Sequence, residues 1–124
     1  MLAEKTALIT GSLDGIGYGI AKALAEKGAK VMLNGFGDQS LIDSRIAELK
    51  AKGVDAAYHG ADVSKLADIE DLVRATEQRF GAIDILVNNA VTRHRANIED
   101  FPVERWDYAM AVNLTAPFHL IRLT

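Results

Sequence analysis

The chain has 124 residues and a mass of 13.4 kDa, enough for one domain that buries roughly two-thirds of its unfolded surface. Apolar residues make up 49% and charged residues 25%, values near the globular average that exclude a disordered chain or a coiled coil. Fourteen basic residues against seventeen acidic ones give a net charge of −3, which argues against a nucleic-acid partner.

Four short apolar runs predict buried strands, and longer stretches with helical spacing alternate with them. The predicted strands are Thr6–Thr10, Lys30–Asn34, Ala56–His59 and Ile83–Asn88. The helical stretches carry apolar residues three or four positions apart, among them Ile16 and Ile20, Ile42 and Ile46, Ile69 and Leu72, and Trp106, Met110, Leu114 and Ile121. Repeated β-α units with buried strands are typical of a parallel sheet covered by helices on both faces. We predict a doubly wound, Rossmann-type α/β domain over residues 1–124, with its four strands in the order 3-2-1-4.

The residues between these segments agree with that division. Gly28, Gly53 and Gly81 each follow a helical stretch, where a left-handed C-cap residue is favoured. Ser64 is predicted to cap the third helix, and Pro102 suits the first turn of the fourth.

The C-terminal part of the pattern predicts an incomplete sheet. The fourth helical stretch reaches Thr124 without a cap or a glycine. The fourth strand would then be an apolar sheet edge, which folded proteins usually avoid.

A glycine-rich loop, Thr10–Gly17, follows the first strand and opens the first helix. Gly11 suits a tight turn, Gly15 a close approach to a pyrophosphate, and Gly17 close packing of helix on strand. The amide groups at the helix N-terminus would then face the phosphates. The loop lacks the Gly-Lys-Ser/Thr of ATPase-type loops, and a purely structural turn is the alternative. The residues predicted to contact a cofactor are Gly11, Ser12, Leu13, Asp14, Gly15, Ile16 and Gly17.

Targeting and membrane signals are missing. The N-terminus lacks the basic-then-apolar layout of a signal peptide, and no apolar run approaches the roughly eighteen residues of a membrane span. The absence of cysteine excludes disulfides and thiolate ligands. We therefore expect a soluble, cytoplasmic protein with no metal site and no membrane contact.

Four motifs, in this order along the chain, resemble the short-chain dehydrogenases/reductases. They are T-G-x-x-x-G-I-G at Thr10–Gly17, Asp62 after the third strand, Asn88-Asn89-Ala90 after the fourth, and Asn113 in the fourth helix. The family continues its Asn-Asn-Ala with a glycine, whereas this chain has Val91.

The resemblance implies a role for each matching residue. Asp62 would bind the adenine amine, and Asn113 would position a catalytic water. The resemblance also implies further cofactor contacts at Ala61, Val63, Asn89, Ala90 and Leu114. Other interpretations stay open, since Asp62 can simply shape the turn before Ser64, and the amides of Asn88 and Asn89 can brace loops. Without the resemblance, Asn113 would be a polar residue that bends its helix.

The nicotinamide cofactor is predicted to be NAD. An NADP enzyme needs a cation near the 2′-phosphate of the adenine ribose. Neither the glycine loop nor Leu33–Ser40 contains Arg or Lys, and Asp14 and Asp38 would repel a phosphate.

Within the family, Leu33–Asp38 and Ile98–Asp107 resemble the (R)-3-hydroxybutyrate dehydrogenases. The resemblance implies that Phe36 borders the adenosine pocket. Arg93 occupies the position where that subfamily has a substrate-binding Gln, and His94 matches a His of that subfamily. Because Arg can bind a carboxylate through two parallel hydrogen bonds, we expect Arg93 and His94 to bind a small carboxylate-bearing substrate. A solvated basic patch is the alternative.

The family's proton-transfer group is a Ser, a Tyr and a Lys, and the resemblance places all three beyond the equivalent of Thr124. Tyr18, Tyr58 and Tyr108 fall on the first helix, the third strand and the fourth helix, and we expect none of them to act as the base. Two classes of function follow. One is the cofactor half of an NAD-dependent oxidoreductase, a homo-oligomer when complete and inactive as these 124 residues alone; the other is a non-catalytic module that binds a nucleotide or a partner.

Overall fold

Four parallel strands form the centre of the fold, in a computed structural model that describes residues 1–124. In chain order, the elements are β1 (Thr6–Ile9), α1 (Gly15–Glu26), β2 (Lys30–Asn34), α2 (Gln39–Lys50), β3 (Ala56–His59), α3 (Leu66–Phe80), β4 (Ile85–Val87), α4 (Val103–Met110) and α5 (Ala116–Leu123). A 3₁₀ turn at Ile98–Asp100 precedes α4, and a π-helical turn at Ala111–Thr115 joins α4 to α5.

The sheet has the strand order β3-β2-β1-β4, which confirms the predicted order. In the register, Ala7 of β1 lies opposite Val31 of β2 and Ile85 of β4. The strands β2 and β3 match their predicted bounds, whereas β1 and β4 are shorter by one and by three residues. Since all four strands are parallel, their carboxyl ends share one edge of the sheet.

Helices cover both faces of the sheet, as predicted. Successive strand residues point to opposite faces. Ala7 and Ile9 of β1 therefore pack with residues of α1 and α2, whereas Leu8 packs with α3 and α5 on the other face. No helix combines the length and the apolar character needed to cross a lipid bilayer.

The helix ends confirm three predictions and correct one. Gly28, Gly53 and Gly81 adopt φ angles of +99°, +88° and +97°, in the left-handed region favoured after a helix. The predicted cap Ser64 is wrong, because Lys65 occupies the N-cap position of α3 and the Ser64 hydroxyl donates to the Asp62 carboxylate instead.

The predicted fourth helix is interrupted by the π-helical turn. Pro117 has no N–H group to continue an α-helical ladder, and the wider turn lies directly before it. Val112, Ala116 and Leu120 face the sheet, while the periodic Leu114 and Ile121 are exposed. The apolar spacing that predicted this helix therefore follows its outer face.

Candidate functional site

A cavity of about 310 Å³ opens at the carboxyl ends of the strands. In open parallel sheets, this edge is where ligands bind. The cavity wall is formed by the loops after all four strands and by two residues of the last helical segment. The lining residues are Gly11, Asn34, Gly35, Phe36, Ala61, Asp62, Val63, Asn89, Ala90, Val91, Thr92, Tyr108 and Val112.

The glycine loop turns as its sequence requires. Gly11 and Gly15 have φ angles of +59° and +58°, which L side chains rarely adopt. A Cβ atom on Gly17 would collide with the carbonyl oxygen of Gly11 and the side-chain amide of Asn89. Gly17 therefore permits the close contact between α1 and the two loops beside it.

The other loop residues lie away from the cavity wall. Ser12 is fully buried, and its hydroxyl donates to the Ile9 carbonyl at 2.7 Å. Leu13 packs in the core, while Ile16 is 79% exposed. Asp14 is the N-cap of α1, with its carboxylate accepting from the Gly15 N–H. A cofactor reaching these residues would meet backbone groups, with the side chains of Ser12 and Leu13 turned inward.

Asn34 joins three strand ends, a role that the sequence analysis missed. It is 2% exposed, and its side-chain amide donates to the carbonyls of His59 and Ala61, both at 3.0 Å. Its side-chain oxygen accepts from the Gly11 N–H at 3.4 Å. A polar residue closing a buried apolar strand is a signal that could have identified it, because buried polar groups need partners.

A second set of bonds ties the glycine loop to the loop after β4. The Thr10 hydroxyl accepts from the N–H groups of Asn89 and Ala90, at 3.1 and 3.0 Å. The Asn89 side chain donates to the carbonyls of Thr10 and Gly11. Asn89 thus braces the loops while also lining the cavity, whereas Asn88 is exposed and makes no side-chain hydrogen bond.

Asp62 uses one carboxylate oxygen for the local turn and leaves the other available. Its Oδ1 accepts from the Ser64 hydroxyl at 2.7 Å and from the Ser64 N–H at 3.0 Å. These bonds, the hydroxyl's above all, hold the pKa of the Asp62 carboxyl below its ordinary value. The carboxylate is therefore charged at neutral pH, and its Oδ2 has no hydrogen-bond partner.

An apolar ring stands at the cavity mouth. Phe36 is 70% exposed, although large apolar side chains are usually buried. The Tyr58 hydroxyl donates to the carbonyl of Gly35, which fixes the segment before Phe36. An exposed ring on an anchored segment can cover a flat apolar group.

Two residues of the last helical segment, Tyr108 and Val112, line the cavity. Val112 lines the cavity, whereas the predicted cofactor contact Leu114, two residues further along the π-helical turn, is 60% exposed and is not among the lining residues. The Asn113 amide bonds the N–H and the carbonyl of Thr92, both at 2.9 Å. Asn113 is thus in contact with the loop that borders the cavity.

The predicted substrate residues lie beyond the cavity wall. Arg93 and His94 are exposed, and Arg93 makes no ion pair. The His94 ring packs edge-on against Phe101 at 5.4 Å between centroids.

Tyr18 and Lys22 have the Y-x-x-x-K spacing, yet their surroundings do not suit proton transfer. Tyr18 is 6% exposed within the core, and burial is the main cause that raises the pKa of its hydroxyl to about 12. A tyrosine that acts as a general base needs a lowered pKa, so the surroundings of Tyr18 differ from those that proton transfer requires.

The strand order, with a glycine loop at the first β-α turn, defines a Rossmann-type fold. The family model for short chain dehydrogenases matches residues 5–124, so the chain belongs to the short-chain dehydrogenase family.

Relatives and solved structures agree with this membership. The chain is 56% identical over 123 residues to a D-beta-hydroxybutyrate dehydrogenase of Cupriavidus necator, covering 99% of this chain and 47% of that protein. It is 47% identical over 121 residues to the enzyme of the same name from Rhizobium meliloti, covering 95% of this chain and 46% of that protein. A blue fluorescent protein from a metagenomic library, solved in complex with NADPH, superposes with a TM-score of 0.94 at 29% identity, covering 98% of this chain and 50% of that one. The chain therefore spans about half the length of these relatives.

Proposed function

We propose that this chain forms the NAD-binding half of a short-chain dehydrogenase that transfers hydride between NAD and a small hydroxy or keto acid. The observation that supports this proposal most directly is the cavity, which is lined by Gly11 of the glycine loop, by Phe36 and by Asp62. Its position at the carboxyl edge of a doubly wound sheet is the usual one for a dinucleotide.

The residues present suit the parts of NAD. The free Oδ2 of Asp62 can accept from the adenine amine, and Phe36 can cover the adenosine. The N-terminus of α1, opened by Gly15, offers backbone N–H groups to the pyrophosphate. Bound NAD supplies the hydride acceptor. Asn89 and Ala90, braced by Thr10, provide a fixed floor beneath the cofactor.

The substrate side of the proposal rests on Arg93 and His94. Arg93 is exposed and makes no ion pair, so its guanidinium is available to a carboxylate. The two bonds between Asn113 and Thr92 anchor the loop directly before it. We place Asn113 at the catalytic centre on the family resemblance, where it would position a water. We identify no Ser-Tyr-Lys group among these 124 residues and expect them to be inactive alone.

The first test is calorimetric titration of NAD into the purified protein. Asp62→Ala should weaken NAD binding by roughly tenfold, because it removes a charged acceptor. Asp43→Ala, which alters an exposed aspartate of α2 outside the cavity, is the matched control and should bind NAD as the parent does. An unchanged affinity in Asp62→Ala would exclude the adenine assignment, and no NAD binding by the parent would exclude the proposed function.

The second test, of the substrate assignment, is a titration of acetoacetate into the protein loaded with NADH. Arg93→Ala should abolish this binding, whereas Arg74→Ala, on the exposed surface of α3, should not. Binding of NADH without any response to acetoacetate would favour the non-catalytic nucleotide-binding module instead.

A further inference from the structure

A cation reaches the glycine loop from α2. The Arg45 Nε donates to the carbonyl of Leu13 at 2.8 Å, and its Nη2 lies 3.4 Å from the Asp14 carboxylate. Arg45 lies 32 residues from Leu13 in the chain, outside both the glycine loop and the segment after β2. The fold therefore supplies a positive charge where none was predicted.

The charges around this guanidinium balance. Arg45 lies over the Tyr18 ring at 4.2 Å and 3.9 Å from the Glu48 carboxylate, which also pairs with Lys22 at 3.2 Å. Tyr18 adds no charge to this cluster, since a tyrosine hydroxyl is neutral at physiological pH and burial raises its pKa further, to about 12. Two cations thus face two carboxylates, Asp14 and Glu48, and removing either carboxylate charge leaves the cluster net positive.

The cluster borders the expected position of the adenine ribose, a step that rests on the proposed function. If the pyrophosphate lies at the start of α1 and adenine at Asp62, the ribose lies between the glycine loop and the segment after β2. These two segments touch, since a Cβ atom on Gly35 would lie 3.6 Å from the Leu13 side chain. The 2′ position of the ribose would then face Leu13 and Asp14.

We propose that Asp14 and Arg45 together select NAD over NADP. The Asp14 carboxylate repels the 2′-phosphate of NADP and at the same time engages the Arg45 guanidinium. When the Asp14 charge is removed, the Arg45 Nη2 loses its carboxylate partner and can donate to that phosphate, while the Nε remains bonded to the Leu13 carbonyl. Selectivity thus depends on which anion, the carboxylate or the phosphate, the guanidinium meets.

The test is a cycle of variants titrated with NAD and with NADP by calorimetry. Asp14→Asn removes the charge and retains a residue favoured at the N-cap. We expect it to lower the ratio of the NADP to the NAD dissociation constant by about tenfold or more. The double variant Asp14→Asn, Arg45→Gln should return this ratio to the parent value. The double variant Asp14→Asn, Arg45→Lys should retain part of the gain in NADP affinity, because lysine keeps the positive charge.

The outcomes separate this inference from the proposed function. An equal gain in Asp14→Asn and in the double variant with Gln would show that Arg45 takes no part, and no gain would show that Asp14 does not select; either overturns the inference while NAD binding stands. If the parent binds neither dinucleotide, the proposed function fails, and the inference fails with it. Thermal melts of each variant identify any that has lost its fold. If the double variant with Gln has lost its fold, the double variant with Lys at position 45 takes its place in the comparison with Asp14→Asn.

Discussion

The absence of a side chain at Gly17 allows α1 to approach the two neighbouring loops closely. A Cβ atom there would meet the Gly11 carbonyl and the Asn89 amide, two groups that already bond each other at 2.8 Å. Two residues further along α1, a Cβ atom on Gly19 would meet nothing within 4 Å. The two glycines share a helix but differ in their surroundings, which makes them a matched pair.

We expect Gly17→Ala to lower the free energy of unfolding by about 1–3 kcal/mol, because the added methyl group displaces the braced loops. It should also abolish NAD binding. Gly19→Ala should raise the free energy of unfolding by about 0.5–1 kcal/mol, since alanine favours the helix, and retain NAD affinity. Urea unfolding and NAD titration of both variants provide the measurements. Equal effects of the two substitutions would contradict a special role for Gly17.

At the residue scale, sequence predicts residue types better than side-chain directions. The glycines and Asp62 could be predicted because each type has a chemical reason at its position. The inward direction of Ser12 and Leu13 could not, since it depends on contacts with Ile9 and the core that no local pattern contains. Arg45 was missed for a related reason: helix packing brings it to Leu13.

Asn34 shows how one side chain can align several elements. It ends β2, and its three bonds reach the loop after β1 and the end of β3. These bonds hold the strand ends that line the cavity at fixed separations.

We expect Asn34→Ala to lower the free energy of unfolding by about 1–3 kcal/mol, because it leaves buried carbonyls without their donors. Asn88→Ala, at the exposed end of β4, should change it by less than about 0.5 kcal/mol. Chemical denaturation measures both. A loss in Asn34→Ala no larger than in Asn88→Ala would show that solvent replaces the missing bonds.

At the element scale, the existence and order of strands could be predicted, whereas the shape of the last helical segment could not. Apolar runs identify buried strands because a parallel sheet is covered on both faces. Helical spacing reveals an apolar face without saying what that face contacts. Trp106, Leu114 and Ile121 fit the helical spacing of apolar residues, yet their side chains are exposed. Val112 and Leu120 are the residues that face the sheet.

At the scale of the whole molecule, the last helical segment exposes large apolar side chains on its outer side. We call the exposed side chains of Trp106, Leu114, Phe118 and Ile121 the outer face of α4 and α5. The strand β4 pairs only with β1, so its other edge is open. Exposed large apolar side chains beside an open strand edge are typical of an interaction site.

We therefore expect the purified protein to self-associate through this side, which sedimentation velocity over a range of micromolar concentrations would measure. Ile121→Glu should weaken the association, because it places a charge within the contact. Leu66→Glu, at a 41% exposed leucine of α3, is the control and should not weaken it. A parent protein that remains monomeric throughout the range would contradict the prediction.

The bonds from Thr10 to Asn89 and Ala90 also have a consequence for biosynthesis. The residues they join are 79 and 80 positions apart in the chain. We expect contacts of this range to form late in folding, because the entropic cost of closing so long a loop comes before the contacts that offset it. A nascent chain on the ribosome would form these contacts only after Ala90 has left the exit tunnel, well after the glycine loop has emerged.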